Sequence, residues 1–97
     1  MTHRPRLDPS IFHLPAEKMR AGYYTDKYFV RAREVLLADR HRANVTMQVF
    51  GKTPALLCGM DEAIAILKLC AIEWKDLTVH ALYDGDEIAP WETVLQI

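Results

Sequence analysis

From Tyr28 to Leu36, the residues Tyr28, Phe29, Ala32, Val35 and Leu36 recur at helical spacing and form one apolar stripe. A second stripe follows in Met60, Ala63, Ile64, Leu67, Cys70 and Ala71. Elsewhere the period drops to two. Val45, Met47 and Val49 alternate with Thr46, Gln48 and Phe50, and Leu77, Val79, Ala81 and Tyr83 share a face. Residues 93–97 make a last strand. A chain that switches between these periods must lay helices on a sheet. The order is helix, strand, strand, helix, strand, short strand, strand. It predicts an α+β fold with two main helices on a mixed or antiparallel sheet. The first stripe is expected to pack on the sheet face carrying alternate residues of 45–50 and 77–83, with Tyr28 at the helix mouth as the exception.

The punctuation supports these boundaries. Residues 1–14, with Pro5 and Pro9, read as an extended arm, and residues 15–97 as the domain. Pro15 opens a short helix over 16–20 that Gly22 ends. Thr25 is a good N-cap for a helix over 25–39, and Asp26 sits where the helix dipole favours a carboxylate. Gly51-Lys52-Thr53-Pro54 is turn chemistry, so residues 55–58 are expected to close a hairpin with 44–50. Gly59 starts the second main helix, with Asp61 and Glu62 in its first turn. Asp84-Gly85-Asp86 turns the chain, and residues 88–90 are extended. Val94-Leu95-Gln96-Ile97 stops inside an apolar strand. This strand is expected to be an edge with unpaired backbone, where a further part of a longer protein docks.

At 97 residues the chain makes one small domain. Its formal net charge of -1 gives no electrostatic case for binding nucleic acid or an anionic membrane. No apolar run approaches the roughly 20 residues of a membrane span. No apolar signal-peptide core follows the basic start Arg4-Pro5-Arg6. Cys58 and Cys70 have no second pair to complete a zinc site and read as buried free thiols in a reducing compartment.

Little here looks catalytic. His3, His13, His41 and His80 show no metal-ligand spacing. Asp84, Asp86 and Glu87 lack the pattern of a calcium loop and read as turn formers. Arg31, Arg33, Arg40 and Arg42 gather near the end of the first main helix, as a solvated face or a phosphate contact. No glycine-rich phosphate loop, nucleophile elbow or Cys/His dyad is present, and no catalytic residue or metal ligand is assigned. The remaining candidate is the helix mouth. A carboxylate at Asp26 and a phenol at Tyr28 can hold a flat polar ligand, or can be an ordinary helix start.

Three segments, read together, resemble nicotinate phosphoribosyltransferases, most closely the bacterial and archaeal branch. Gly22-Tyr23-Tyr24-Thr25-Asp26-Lys27-Tyr28-Phe29-Val30-Arg31 resembles the glycine, Thr-Asp-x-Tyr and arginine pattern near their start. Leu57-Cys58-Gly59-Met60-Asp61-Glu62 resembles the glycine-acidic entry to their second helix. Val79-His80-Ala81-Leu82-Tyr83-Asp84-Gly85 and Pro90-Trp91-Glu92-Thr93-Val94-Leu95-Gln96-Ile97 resemble the strand, glycine turn and Pro-x-Glu-Pro-Val block that precedes the barrel. Thr93 replaces the usual proline, and Tyr83-Asp84-Gly85 replaces proline-glutamate-glycine.

The resemblance implies an α/β-hammerhead-like N-terminal domain whose catalytic barrel lies outside these 97 residues. It implies a cytoplasmic homodimer that joins nicotinate to phosphoribosyl pyrophosphate in NAD salvage, with Mg2+ and ATP serving the full enzyme and no cofactor held by this chain. Tyr28 would stack on the nicotinate ring in the neighbouring subunit's pocket. Asp26 would be a nearby polar group, and Arg31 would approach the carboxylate or phosphate end. The alternatives are a domain for quinolinate or a related pyridine, or a free-standing interaction module of the same fold. The 97-residue chain alone is expected to be inactive.

Overall fold

The computed structural model describes residues 4–97. They divide into two compact units, one over Pro15–Val45 and one made of the flanking segments that end at Leu14 and resume at Thr46. The elements in order are α1 (Ala16–Arg20), α2 (Lys27–Ala38), β1 (Gln48–Phe50), β2 (Ala55–Leu56), α3 (Met60–Cys70), β3 (His80–Ala81), β4 (Glu87–Ile88) and β5 (Thr93–Gln96). Short 3-10 turns add Pro9–Phe12 and Trp74–Asp76. All strand pairs are antiparallel, and the fold is α+β as the two periods imply.

In the helical unit, α1 starts directly after Pro15 and ends in a tight reversal. Gly22 N–H donates to Met19 O, and Tyr23 N–H donates to Lys18 O. Gly22 has φ +83°, and a Cβ there would lie 2.9 Å from Val30 Cγ2. Both the handedness and the close approach call for glycine. The N-cap of α2 is Asp26, one residue later than the spacing suggested. No residue of α2 is buried, and Tyr28, Phe29, Val35 and Leu36 are all exposed. The helical unit by itself therefore leaves this stripe uncovered. Helical periodicity marks which face can be covered, but not what covers it.

In the sheet unit, β5 is the central strand of a three-stranded sheet ordered β1-β5-β3. Val49 faces Leu95, Ala81 faces Leu95 from the other side, and a register shift lies between Val49 and Phe50. Met47 and Ile97 exchange both backbone hydrogen bonds at 2.9 Å, extending the pairing to the last residue. This corrects the expected unpaired edge: the closing strand is paired on both sides. The expected hairpin is also corrected. β2 pairs with β4, with Ala55 opposite Ile88, and β1 turns instead to β5. Local turn chemistry in 51–54 is outweighed by long-range pairing that buries Val94 at 4% and Leu95 at 5% exposure. Both strands around 44–50 and 77–83 are shorter than their alternation suggested. Leu77, at the start of the second, instead caps the Trp74–Asp76 turn.

Helix α3 matches its sequence signals. Gly59 sits at φ +92° before it, and Met60, Ile64 and Ala65 are buried along its inner face. Leu57, Met60, Ile88, Val94 and Leu95 form the core, with Ala63, Val79, Ala81, Leu82 and Ile97 packed around it. The Pro9–Phe12 turn packs on α3 and is capped by Asp8, whose Oδ1 accepts from Ser10 N–H and Ser10 Oγ. The cysteines are free thiols, but Cys58 is exposed and Cys70 only half-buried, which corrects the expectation of two buried thiols.

Candidate functional site

Asp26, Tyr28 and Arg31 all lie on the first turns of α2. Asp26 has extended backbone at ψ 148°, and its carbonyl accepts the first helical bond from Phe29 N–H at 3.0 Å. Its carboxylate makes no capping hydrogen bond, so the side chain is not consumed by the helix start. Tyr28 is 74% exposed, with its ring edge-on to Phe29 at 5.3 Å between centroids. Just upstream, Tyr23 and Tyr24 stand edge-on at 4.9 Å, and Lys18 Nζ lies 5.1 Å from the Tyr23 centroid. Arg31 is exposed one turn beyond Tyr28. No hydrogen bond or ion pair links Asp26, Tyr28 and Arg31 to one another. The helix mouth thus presents aromatic faces beside one carboxylate and one guanidinium. Chemically, it can stack and hydrogen-bond a flat polar molecule, but holds no nucleophile with an adjacent base.

The strongest electrostatic constellation lies in the sheet unit, on residues that the sequence reading gave only helix-start, turn and arm roles. Asp61, 2% exposed, accepts a hydrogen bond from Arg4 Nη1 on Oδ2, and a longer one from Leu7 N–H at 3.3 Å. Its Oδ1 has no hydrogen-bond partner and lies 3.5 Å from Arg6 Nη1. Arg6 donates to Leu82 O and Ala81 O at 2.8 Å each, and its guanidinium lies 3.6 Å from the Tyr83 ring centroid. Asp84 reaches across to α3, accepting from Met60 N–H at 2.7 Å and Asp61 N–H at 3.4 Å, with Arg4 Nη2 3.6 Å away. Gly59 has no side chain to cap α3, so Asp84 supplies the cap from another loop.

Burial pushes the Asp61 carboxyl up. The Arg4 hydrogen bond, the Leu7 N–H and the charges of Arg4 and Arg6 together outweigh it and hold the group below the usual carboxylate range. The signal in the sequence was Arg4-Pro5-Arg6. Two arginines two apart on an extended segment project to the same side, ready for an acid at a helix start.

These carboxylates do not suit a metal. Among the described residues no three His, Cys, Asp or Glu side chains are grouped to hold one, and Asp61 and Asp84 face Arg4 instead. The described residues do not fit Mg2+. Arg31, Arg33 and Arg42 are exposed, and Arg40, at φ 53°, ends the helical run. Among the described residues no helix is long and apolar enough to cross a membrane.

A family model described as the quinolinate phosphoribosyl transferase N-terminal domain matches residues 26–97. No curated protein and no solved structure matches the chain significantly. The matched span starts at the α2 N-cap, takes in the helix mouth and runs through all five strands and α3. With its antiparallel α+β fold, the chain belongs to the N-terminal domain family of quinolinate phosphoribosyl transferases, the pyridine phosphoribosyltransferases.

Proposed function

We propose that this chain is the N-terminal domain of a nicotinate phosphoribosyltransferase of the bacterial and archaeal branch. Such an enzyme joins nicotinate to phosphoribosyl pyrophosphate and releases nicotinate mononucleotide and pyrophosphate. The observation that carries the reading is Tyr28, held 74% exposed at the mouth of α2 within the Thr25-Asp26-Lys27-Tyr28 motif. The ring stands in solvent next to a carboxylate that makes no capping hydrogen bond, and both are open to a flat polar ligand.

Displacement at the ribose anomeric carbon passes through a cation-like centre with pyrophosphate leaving. Catalysis therefore rests on positioning and charge stabilisation. In this reading, Tyr28 stacks on the pyridine ring and limits its tilt. Asp26 accepts a hydrogen bond near the ring, and Arg31 faces the carboxylate. The phosphoribosyl cradle comes from a barrel domain and a neighbouring subunit, where Mg2+ and ATP also act. The setting is the cytoplasm, and the chain alone is inactive.

The family match favours a second reading, a domain that serves quinolinate. Competition between the two acids in the full-length enzyme separates them. A kcat/KM for nicotinate at least about tenfold above that for quinolinate supports the first reading. The reverse preference overturns it.

A further inference from the structure

The sheet unit contains a groove of about 490 Å³ that includes none of Asp26, Tyr28 and Arg31. Its size falls within the roughly 300–1,000 Å³ typical of small-molecule sites. Lys68, His80 and Arg6 line it, with the rings of Trp74 and Tyr83 and an apolar floor that includes Leu77.

Its charge is one-sided. Three groups able to carry positive charge line the groove, and no aspartate or glutamate does. Asp61 is paired with Arg4 and Arg6, and Asp8, hydrogen-bonded to Ser10, lies close enough to Lys68 to feel its charge. Arg6 is fixed by two carbonyls and stacked on Tyr83, so it contributes charge from a set position. Lys68 is exposed, with its Nζ 5.5 Å from the Trp74 centroid. An ammonium on a flexible stem can swing from that ring to an anion. His80 is exposed on the opposite element, β3.

Aromatic walls suit a flat base, and clustered cations suit a phosphate. The groove is also larger than one ring requires. We propose that it is a second ligand site, which binds a mononucleotide with its base against Trp74 and its phosphate toward Lys68 and His80. The site is independent of the reading of Tyr28, because no residue of the helix mouth lines it.

The test uses the full chain with Trp91→Phe, leaving Trp74 as the sole tryptophan, since the sequence holds two. Trp74 emission is titrated with adenosine monophosphate and with nicotinate mononucleotide, with inorganic phosphate and adenosine as part-ligands. The expected result is saturable quenching by at least one mononucleotide, and binding of each part-ligand weaker by about tenfold or more. Lys68→Glu should weaken the mononucleotide by about tenfold or more with an unchanged unfolding curve, whereas Lys52→Glu, the same charge change at an exposed residue that does not line the groove, should leave it unchanged. No saturation with either mononucleotide overturns the site. So does inorganic phosphate binding as tightly, an indifferent Lys68→Glu, or an equal loss on Lys52→Glu.

Discussion

Replacing Asp61 with asparagine keeps the shape of the side chain and removes the charge that two arginines face. Breaking a buried ion pair by removing one partner costs about 3–5 kcal/mol, because the other charge is left without compensation. Here the Arg4 side chain is 47% exposed, so water recovers part of the loss on that side. Arg6 is better covered and keeps its two carbonyls and the Tyr83 ring. The expected cost of Asp61→Asn is therefore about 2–3 kcal/mol. In a domain of this size that is roughly a 10–20 °C fall in Tm. Urea and thermal unfolding followed by circular dichroism measure it. The same experiment carries a pH signature. The folded carboxyl titrates below its unfolded value, so the unfolded chain takes up the proton first as pH falls. The stabilisation is complete above the unfolded pKa of about 3.9 and fades as pH drops through the lower folded value. The Asn variant should lack that component. A variant within about 0.5 kcal/mol of wild type at pH 7 would show that the constellation does not hold the residues around Arg4 and Arg6 to α3.

Asp84→Ala should cost about 1–2 kcal/mol, because Met60 N–H loses its cap at 2.7 Å, and amide exchange over the first turn of α3 should accelerate. Leu95→Ala should cost about 2–5 kcal/mol in urea unfolding, as expected for a buried side chain on a central strand.

Helix α3 was legible because each signal was local: the glycine before it, the acids in its first turn, the stripe along one side. The last strand was legible as a strand but not as the sheet centre. Alternation fixes which residues share a face and says nothing of neighbours, so Leu95 could not reveal that Val49 and Ala81 flank it. The stripe on α2 predicted the helix, but period carries no information on what covers a face. The Arg4, Arg6 and Asp61 constellation spans more than fifty residues of sequence, and the local pattern Arg4-Pro5-Arg6 shows two cations on one side without naming the acid they meet. At the candidate site, Tyr28 is exposed at the start of α2, as are Phe29, Val35 and Leu36 along the same helix. Asp26 came one position closer to the cap than its spacing suggested, because Thr25 lies outside the helix start.

The most direct test of the functional account is steady-state kinetics of Tyr28→Ala in the full-length protein. A stacked aromatic contact contributes about 1 kcal/mol beyond its buried area, and with that area the loss comes to about 2–3 kcal/mol. The account predicts a fall of roughly 30- to 150-fold in kcat/KM for nicotinate, with Tyr28→Phe close to wild type. Wild-type kinetics from Tyr28→Ala would contradict it and leave the mouth of α2 as an ordinary helix start.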